Sequence, residues 1–183
     1  PFVRGSVRSK KFAEVINEAK ILAEKNHKEI VLTGIHTGRY ESDNHDLTDL
    51  INALSKIEEI KRIRISSIEI TELNDKFLNM LKENPKVCDH LHIPLQAGSN
   101  EILKRMNRKY DLEFYENKIK EIRNIRPDIS ISTDIIVGFP YETDELFAEC
   151  LKFSEKMEFS KIHVFPYSLR EGTAAAQMDH QVP

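Results

Sequence analysis

Cysteine is scarce in this sequence: Cys88 and Cys150 are the only two, and they lie far apart along the chain. A disulfide framework is therefore not expected, and a reduced, cytoplasmic setting is. The two thiols show no local metal-ligand spacing, so each should pack as a small hydrophobe. No apolar run approaches the ~20 residues of a membrane span. No signal-peptide pattern opens the chain. GxGxxG and Walker patterns are also missing, which excludes phosphate binding of those kinds. Basic residues are not in excess: 27 Lys and Arg face 30 Asp and Glu, a formal net charge of -3. No global field draws nucleic acid, so any RNA contact must come from local patches.

What is present is enough for one domain with a real core, since 40% of the 183 residues are hydrophobic. Phe12, Val15, Ile16, Ala19, Leu22 and Ala23 repeat at helical spacing across 9–25. A strand follows at 29–34, then a polar loop at 35–45 and a helix at 46–57. A β-branched strand is expected at 62–70, and a helix capped by Asn74 runs to Leu81. The strand from His90 is ended by Pro94, which cannot donate to a ladder. Asn100 is expected to cap the basic helix that follows, and a helix at 111–126 comes next. Then come a long strand at 129–137, a helix opened by Thr143 and a strand at 161–166. The tail from Leu169 shows no element.

Five strands alternating with helices argue for a parallel sheet with right-handed crossovers. Because a helix comes first, the expected architecture is an α/β barrel short of its first strand. The abrupt opening at Pro1-Phe2-Val3 reads as a piece of a longer protein.

Strand parity then sorts the side chains. His90, His92, Pro94 and Gln96 share one face, opposite Leu91, Ile93 and Leu95. Ser130, Ser132, Asp134 and Ile136 share another, opposite Ile131, Thr133, Ile135 and Val137. Ser67 and Glu69 line up with Ile63 and Ile65, and His163, Phe165 and Tyr167 line up together. The serines either satisfy core hydrogen bonds or face a ligand. An inward carboxylate such as Asp134 or Glu69 needs a partner or a ligand. His90 and His92, with His163 and Asp134, match a zinc-ligand set, which would make the chain a metal-dependent hydrolase. His163, near the start of its strand, stands apart from that rim. Gly138 to Thr143 reads as a strand-to-helix turn. Basic patches at 4–11 and 104–110 read mainly as solvated surface, with Arg108 and Tyr110 available to a phosphate or a base.

Taken together, several segments resemble the radical S-adenosylmethionine (radical SAM) tRNA methylthiotransferases. They are Arg4-Gly5-Ser6-Val7-Arg8-Ser9, Leu32-Thr33-Gly34-Ile35-His36-Thr37-Gly38, Ile65-Ser66-Ser67-Ile68-Glu69, the stretch from His90 to Tyr110, Ser132 to Pro140, and Val164 to Thr173. Leu-Thr-Gly-Ile-His most resembles the branch acting on threonylcarbamoyladenosine beside the anticodon. The resemblance implies a partial (β/α)6 radical SAM barrel. It also implies a [4Fe–4S] cluster on a CxxxCxxC motif, which reductively cleaves S-adenosylmethionine to a deoxyadenosyl radical. That radical abstracts hydrogen from the adenine carbon to be thiolated. A second cluster takes part in sulfur delivery, and tRNA and an electron donor are the implied partners.

The motif itself is not in this sequence. The first strand, the cluster loop, an N-terminal cluster domain and a C-terminal RNA-binding domain are expected to be missing, and the fragment alone to be inactive. The resemblance places the cofactor at Gly34, Ser67, Glu69, Gln96, Arg108, Asp134, Phe165 and Tyr167. Glu69 and Asp134 would accept from its amino group or ribose hydroxyls, with Phe165 and Tyr167 near adenine. It names no general base. A different class of reading keeps the chain as a non-catalytic nucleic-acid or partner-binding module.

Overall fold

The computed structural model describes residues 8–182. Residues 4–7 of the first matching segment and of the basic patch 4–11 lie outside the described residues. The chain forms two compact units, one built from 8–68 with 74–88 and the other from 69–73 with 89–182.

In the first unit α1 (Phe12–Glu24) leads into β1 (Glu29–Leu32), and α2 (Leu47–Ser55) into β4 (Arg62–Ile65) and α3 (Asp75–Glu83). β1 and β4 pair in parallel, with Glu29 opposite Arg62 and Leu32 opposite Ile65. The segment 86–88 lies along the other edge of β4. There Ile63 N–H donates to the Lys86 carbonyl at 2.7 Å, and Cys88 N–H to the Ile63 carbonyl at 3.0 Å. Ile51, Leu54, Ile60, Ile63 and Leu81 are fully buried between these elements. Burying each such side chain contributes roughly 1.5–3 kcal/mol.

The helix starts follow from sequence. Asn74 accepts from Phe77 N–H at 2.9 Å as its type predicts. Asp46 and Asp49 form a reciprocal cap at 3.0 and 3.1 Å. Two expectations are corrected. The loop at 35–45 holds a 3-10 turn (Thr37–Arg39) and a two-stranded hairpin, β2 (Glu41–Ser42) and β3 (His45–Asp46). Its turn residues Asp43 and Asn44 take φ of 52° and 62°, the left-handed region that short polar side chains tolerate in tight hairpins. The strand expected at 62–70 stops at Ile65. Ser66 N–H makes one more bond, to the Leu32 carbonyl at 3.0 Å. Glu69 then enters a 3-10 turn (Ile70–Glu72), its N–H on the Glu72 carboxylate at 3.2 Å.

The second unit carries β5 (His90–His92), α4 (Asn100–Arg105), α5 (Leu112–Ile125), β6 (Ser130–Val137), α6 (Asp144–Met157) and β7 (Lys161–Pro166). Its sheet has the order β5-β6-β7, every pairing parallel, with Asp134 opposite His163. The apolar faces pack as parity predicts: Leu91, Ile93, Leu95, Ile102, Tyr115, Ile119 and Ile122 are fully buried. Asp111 caps α5 through Phe114 N–H at 2.8 Å, and Thr143 caps α6 through Leu146 N–H at 3.3 Å. Asn100 does not cap its own helix. It is the first residue of α4, and its side chain accepts from Leu112 N–H at 2.8 Å, one of the N–H groups at the start of α5 that lack a helical partner. The tail folds a 3-10 turn at Ala175–Gln177.

Candidate functional site

Pro94 stops the β5 ladder after Ile93 N–H has bonded the Ser132 carbonyl at 2.9 Å. The irregular stretch beyond it is buried, so its backbone groups need side-chain partners. Tyr115 hydroxyl donates to the Ile93 carbonyl at 2.7 Å. Thr133 donates to the same carbonyl and accepts from Leu95 N–H, both at 2.8 Å. Tyr110 donates to the Leu95 carbonyl at 2.9 Å. Burial pushes the Tyr110 phenol up to about 12, and moves Tyr115 upward as well. Tyr110 is thus a buried strut and does not face a phosphate or base, a correction to its expected role. Thr133, a hydroxyl on an otherwise aliphatic strand face, is the one sequence signal for this arrangement.

The strut delivers Gln96 and Gly98. Gln96 takes φ of 72° and is stitched to β6, its N–H on the Asp134 carbonyl at 2.8 Å and its carbonyl receiving Ile136 N–H at 2.9 Å. A non-glycine residue held in that region is costly unless its surroundings fix it. At Gly98 a Cβ would stand 2.6 Å from Cys150 Cα, so only glycine fits against α6. Gly98 N–H donates to the Cys150 sulfur at 3.2 Å. Cys150 is thus a buried acceptor as well as a packing residue, and burial raises its thiol pKa.

Just past the end of β6 stands Gly138, φ 74°, whose N–H is held by the Glu142 carboxylate. Burial pushes the Glu142 carboxyl upward. Tyr141, φ 72°, lies beneath the Arg105 guanidinium, 3.8 Å from its ring centre. His180 of the tail meets the same ring at 4.7 Å and accepts Tyr141 N–H at 2.9 Å. Neither contact is legible in local sequence.

The eight expected site residues divide between the units. Gly34, exposed beyond β1, and Ser67, half-buried beyond β4, belong to the first. The other six belong to the second. Gln96 and Asp134 meet through the backbone bond just described. Glu69 and Arg108 form an open ion pair at 3.7 Å. Tyr167 N–H bonds the Val137 carbonyl at 2.7 Å and its ring meets Phe139 edge-on at 5.3 Å. Phe165 is half exposed.

The histidines do not read as a metal centre. His92 spends Nδ1 on Ser132 Oγ at 2.9 Å and Nε2 on Asp134 at 3.2 Å, and His90 Nε2 lies 3.1 Å from the same hydroxyl. Among the described residues no group of three His, Cys, Asp or Glu is arranged to hold a metal ion. His163, expected to stand apart, is paired opposite Asp134 with its ring edge-on to His92 at 5.8 Å. Ser130 bonds Ser160 at 2.7 Å.

Buried donors without a partner among the described residues of this unit include Arg108 Nε, the Tyr167 hydroxyl and the Ser99 hydroxyl. An open Glu–Arg pair whose guanidinium keeps an unsatisfied Nε suits a ligand carrying both an amino group and a carboxylate, which S-adenosylmethionine does. An iron–sulfur cluster is not matched in this way. Cys88 and Cys150 are both buried, belong to different units, and join no ligand group among the described residues.

Comparison with known proteins gives the same direction. The model of the radical SAM superfamily matches residues 2–154. Threonylcarbamoyladenosine tRNA methylthiotransferase MtaB of Bacillus subtilis (strain 168) is 46% identical over 100% of this chain and 41% of its own length. The Thermotoga maritima protein of the same name is 43% identical over 97% of this chain and 41% of its own. The tRNA-2-methylthio-N(6)-dimethylallyladenosine synthase of Thermoanaerobacter sp. (strain X514) is 45% identical over 100% of this chain and 39% of its own. The chain thus spans about two-fifths of the length of these relatives. Among solved structures, the radical SAM enzyme coproporphyrinogen III oxidase of Escherichia coli shares the fold. Its TM-score is 0.64 at 20% identity, covering 97% of this chain and 44% of that one. The cobalamin-dependent S-adenosylmethionine radical enzyme OxsB gives 0.65 at 16%, over 90% and 24%. The expected α/β class with parallel strands is the one these structures share.

Proposed function

The chain belongs to the radical SAM superfamily, and on that premise we propose that it is the catalytic-core segment of a tRNA methylthiotransferase. The full protein would add a methylthio group to an N6-modified adenosine beside the anticodon, on the threonylcarbamoyladenosine branch. The observation that carries this reading is 46% identity across the whole chain to a protein of that name. The cluster domain and the RNA-binding domain would lie in the remaining length of such a protein, and tRNA, an electron donor and a cytoplasmic setting go with the reading. No helix among the described residues is long and apolar enough to cross a membrane, which is compatible with it.

Within the chain, Glu69 and Arg108 would take the amino and carboxylate groups of S-adenosylmethionine. Asp134 would accept from its ribose hydroxyls, and Tyr167 and Phe165 would stand near adenine. Gln96, in the same unit, would line that ligand as well. Radical chemistry comes from the cofactor and its cluster once bound. The cluster's ligands are not matched by the described residues, so no step is assigned through it.

The deciding experiment is mass spectrometry of tRNA nucleosides from a strain lacking the full-length protein. Loss of the methylthio group from threonylcarbamoyladenosine is expected, and an unchanged nucleoside profile would overturn the proposal. Calorimetry on the full-length protein tests the assignment separately. Asp134→Ala and Glu69→Ala should each weaken S-adenosylmethionine binding, and unaltered affinity in both would discard these residues.

A further inference from the structure

The face of the second unit's sheet carries a line of side chains of which the cofactor assignment uses only the last, Asp134. His90, Ser132, His92 and Asp134 stand in sequence at 3.1, 2.9 and 3.2 Å. Ser132 is buried, and the His92 and Asp134 side chains are 15% and 28% exposed. The His163 ring packs edge-on against His92 from β7.

For a neutral His92 and an ionised Asp134, proton accounting gives this line one direction. A carboxylate only accepts, so the proton between His92 and Asp134 belongs to His92 Nε2. With His92 neutral, its Nδ1 is bare and must receive a hydrogen bond. Among the described residues, the Ser132 hydroxyl is the group placed to donate there. Ser132 has a single proton and has now committed it, so toward His90 it accepts, which puts a proton on His90 Nε2. In that state the chain runs His90 to Ser132 to His92 to Asp134, with both imidazoles as Nε2–H tautomers. The nitrogen facing one partner is set by the bond the other nitrogen makes. One oxygen of Asp134 is fixed by His92, and the other keeps its accepting capacity.

We propose that His92 is a positioning residue: aligned by Ser132, it holds one oxygen of Asp134 so that the other faces a hydroxyl donor of the nucleoside cofactor. The proposal rests on the reading of Asp134 as a cofactor contact. It adds that the contact depends on His92 and Ser132, two residues the cofactor assignment does not name. A carboxylate-orienting imidazole also gives these histidines a use beside an aspartate where no metal-ligand group is arranged among the described residues.

Two measurements test it. In the chain itself, ring nitrogen shifts from histidine-labelled protein near neutral pH should report His90 and His92 as Nε2–H tautomers. Ser132→Ala should release His92 to a mixture of tautomers. An Nδ1–H tautomer at His92 in the unsubstituted chain overturns the proposal. In the full-length reconstituted enzyme, His92→Ala should raise the KM for S-adenosylmethionine about tenfold with kcat little changed. His92→Gln, whose amide can still donate to Asp134, should recover most of that loss; it also serves if the alanine variant does not fold. Adding His92→Ala to Asp134→Ala should cost nothing further, because the two act as one. If Asp134→Ala weakens binding and His92→Ala does not, this proposal falls and the cofactor reading stands. If Asp134→Ala has no effect, both fall together.

Discussion

The two units hold their irregular strand-end loops in opposite ways. In the first, the stretch after β1 is tied down from outside. Tyr40 hydroxyl donates to the Lys10 carbonyl at 2.9 Å, Glu41 N–H to Ser9 at 3.1 Å and Phe12 N–H to Ser42 at 3.1 Å. These are half-buried or exposed bonds in competition with water. In the second, the stretch after β5 is tied from beneath by Tyr110, Tyr115 and Thr133, which are buried. A bond exposed to water contributes little net. A buried group left without its partner costs about 1–3 kcal/mol. The same amount of irregular chain should thus be far more rigid in the second unit than in the first. The difference suits a loop that must present Gln96 in a strained conformation.

Substitutions can break that contrast. The largest effect is expected at Gly98. Gly98→Ala drives a Cβ into α6 backbone at 2.6 Å, and overpacking of this kind costs about 1–3 kcal/mol or more. A fall in Tm of several degrees or loss of soluble protein is the expected readout, and a Tm unchanged within error would show the packing to be loose. Next comes Thr133→Val, which strips Leu95 N–H of its partner and the Ile93 carbonyl of one of its two donors; about 1–3 kcal/mol should be lost in urea unfolding. Tyr40→Phe, its counterpart in the first unit, should change stability by no more than about 0.5 kcal/mol. An equal loss at both sites would erase the distinction between the loops.

pH sharpens it further. Tyr110 ionises at about 12 in the folded chain against about 10 unfolded. A raised pKa means the unfolded state gives up its proton first. The contribution of Tyr110 is therefore whole below about pH 10 and is lost as pH rises toward 12. Tyr110→Phe should flatten that alkaline limb, followed by circular dichroism against pH. The smallest effect belongs to the surface clasp of Glu29 with Arg62 and Arg64. Glu29→Gln should shift Tm slightly, and not at all in high salt.

The sequence made the buried scaffold readable and left much of its polar interior unreadable, for a physical reason. Alternation of Leu91, Ile93 and Leu95 with His90 and His92 reports a strand with one apolar face wherever it lies. Asn74 and Thr143 cap the helices that begin right after them. Such signals are local. Tyr115 reaching the Ile93 carbonyl, or Asn100 reaching Leu112, joins residues that only the finished packing brings together. The hairpin at β2 and β3 escaped because two-residue strands are too short to show alternation. Gln96 and Asp134 were legible as polar positions sharing the faces that strand parity assigns them. The pairing of Glu69 with Arg108, and of His92 with Asp134, was not.

The buried thiols offer one more use. Cys88 lies in the first unit and Cys150 in the second, both shielded from solvent. A reagent that alkylates sulfur can reach each one only when its surroundings open. The molecule therefore carries two independent reporters of local breathing, one per unit. Their labelling half-lives, resolved by peptide mass spectrometry, would read out the opening of each half without any added probe.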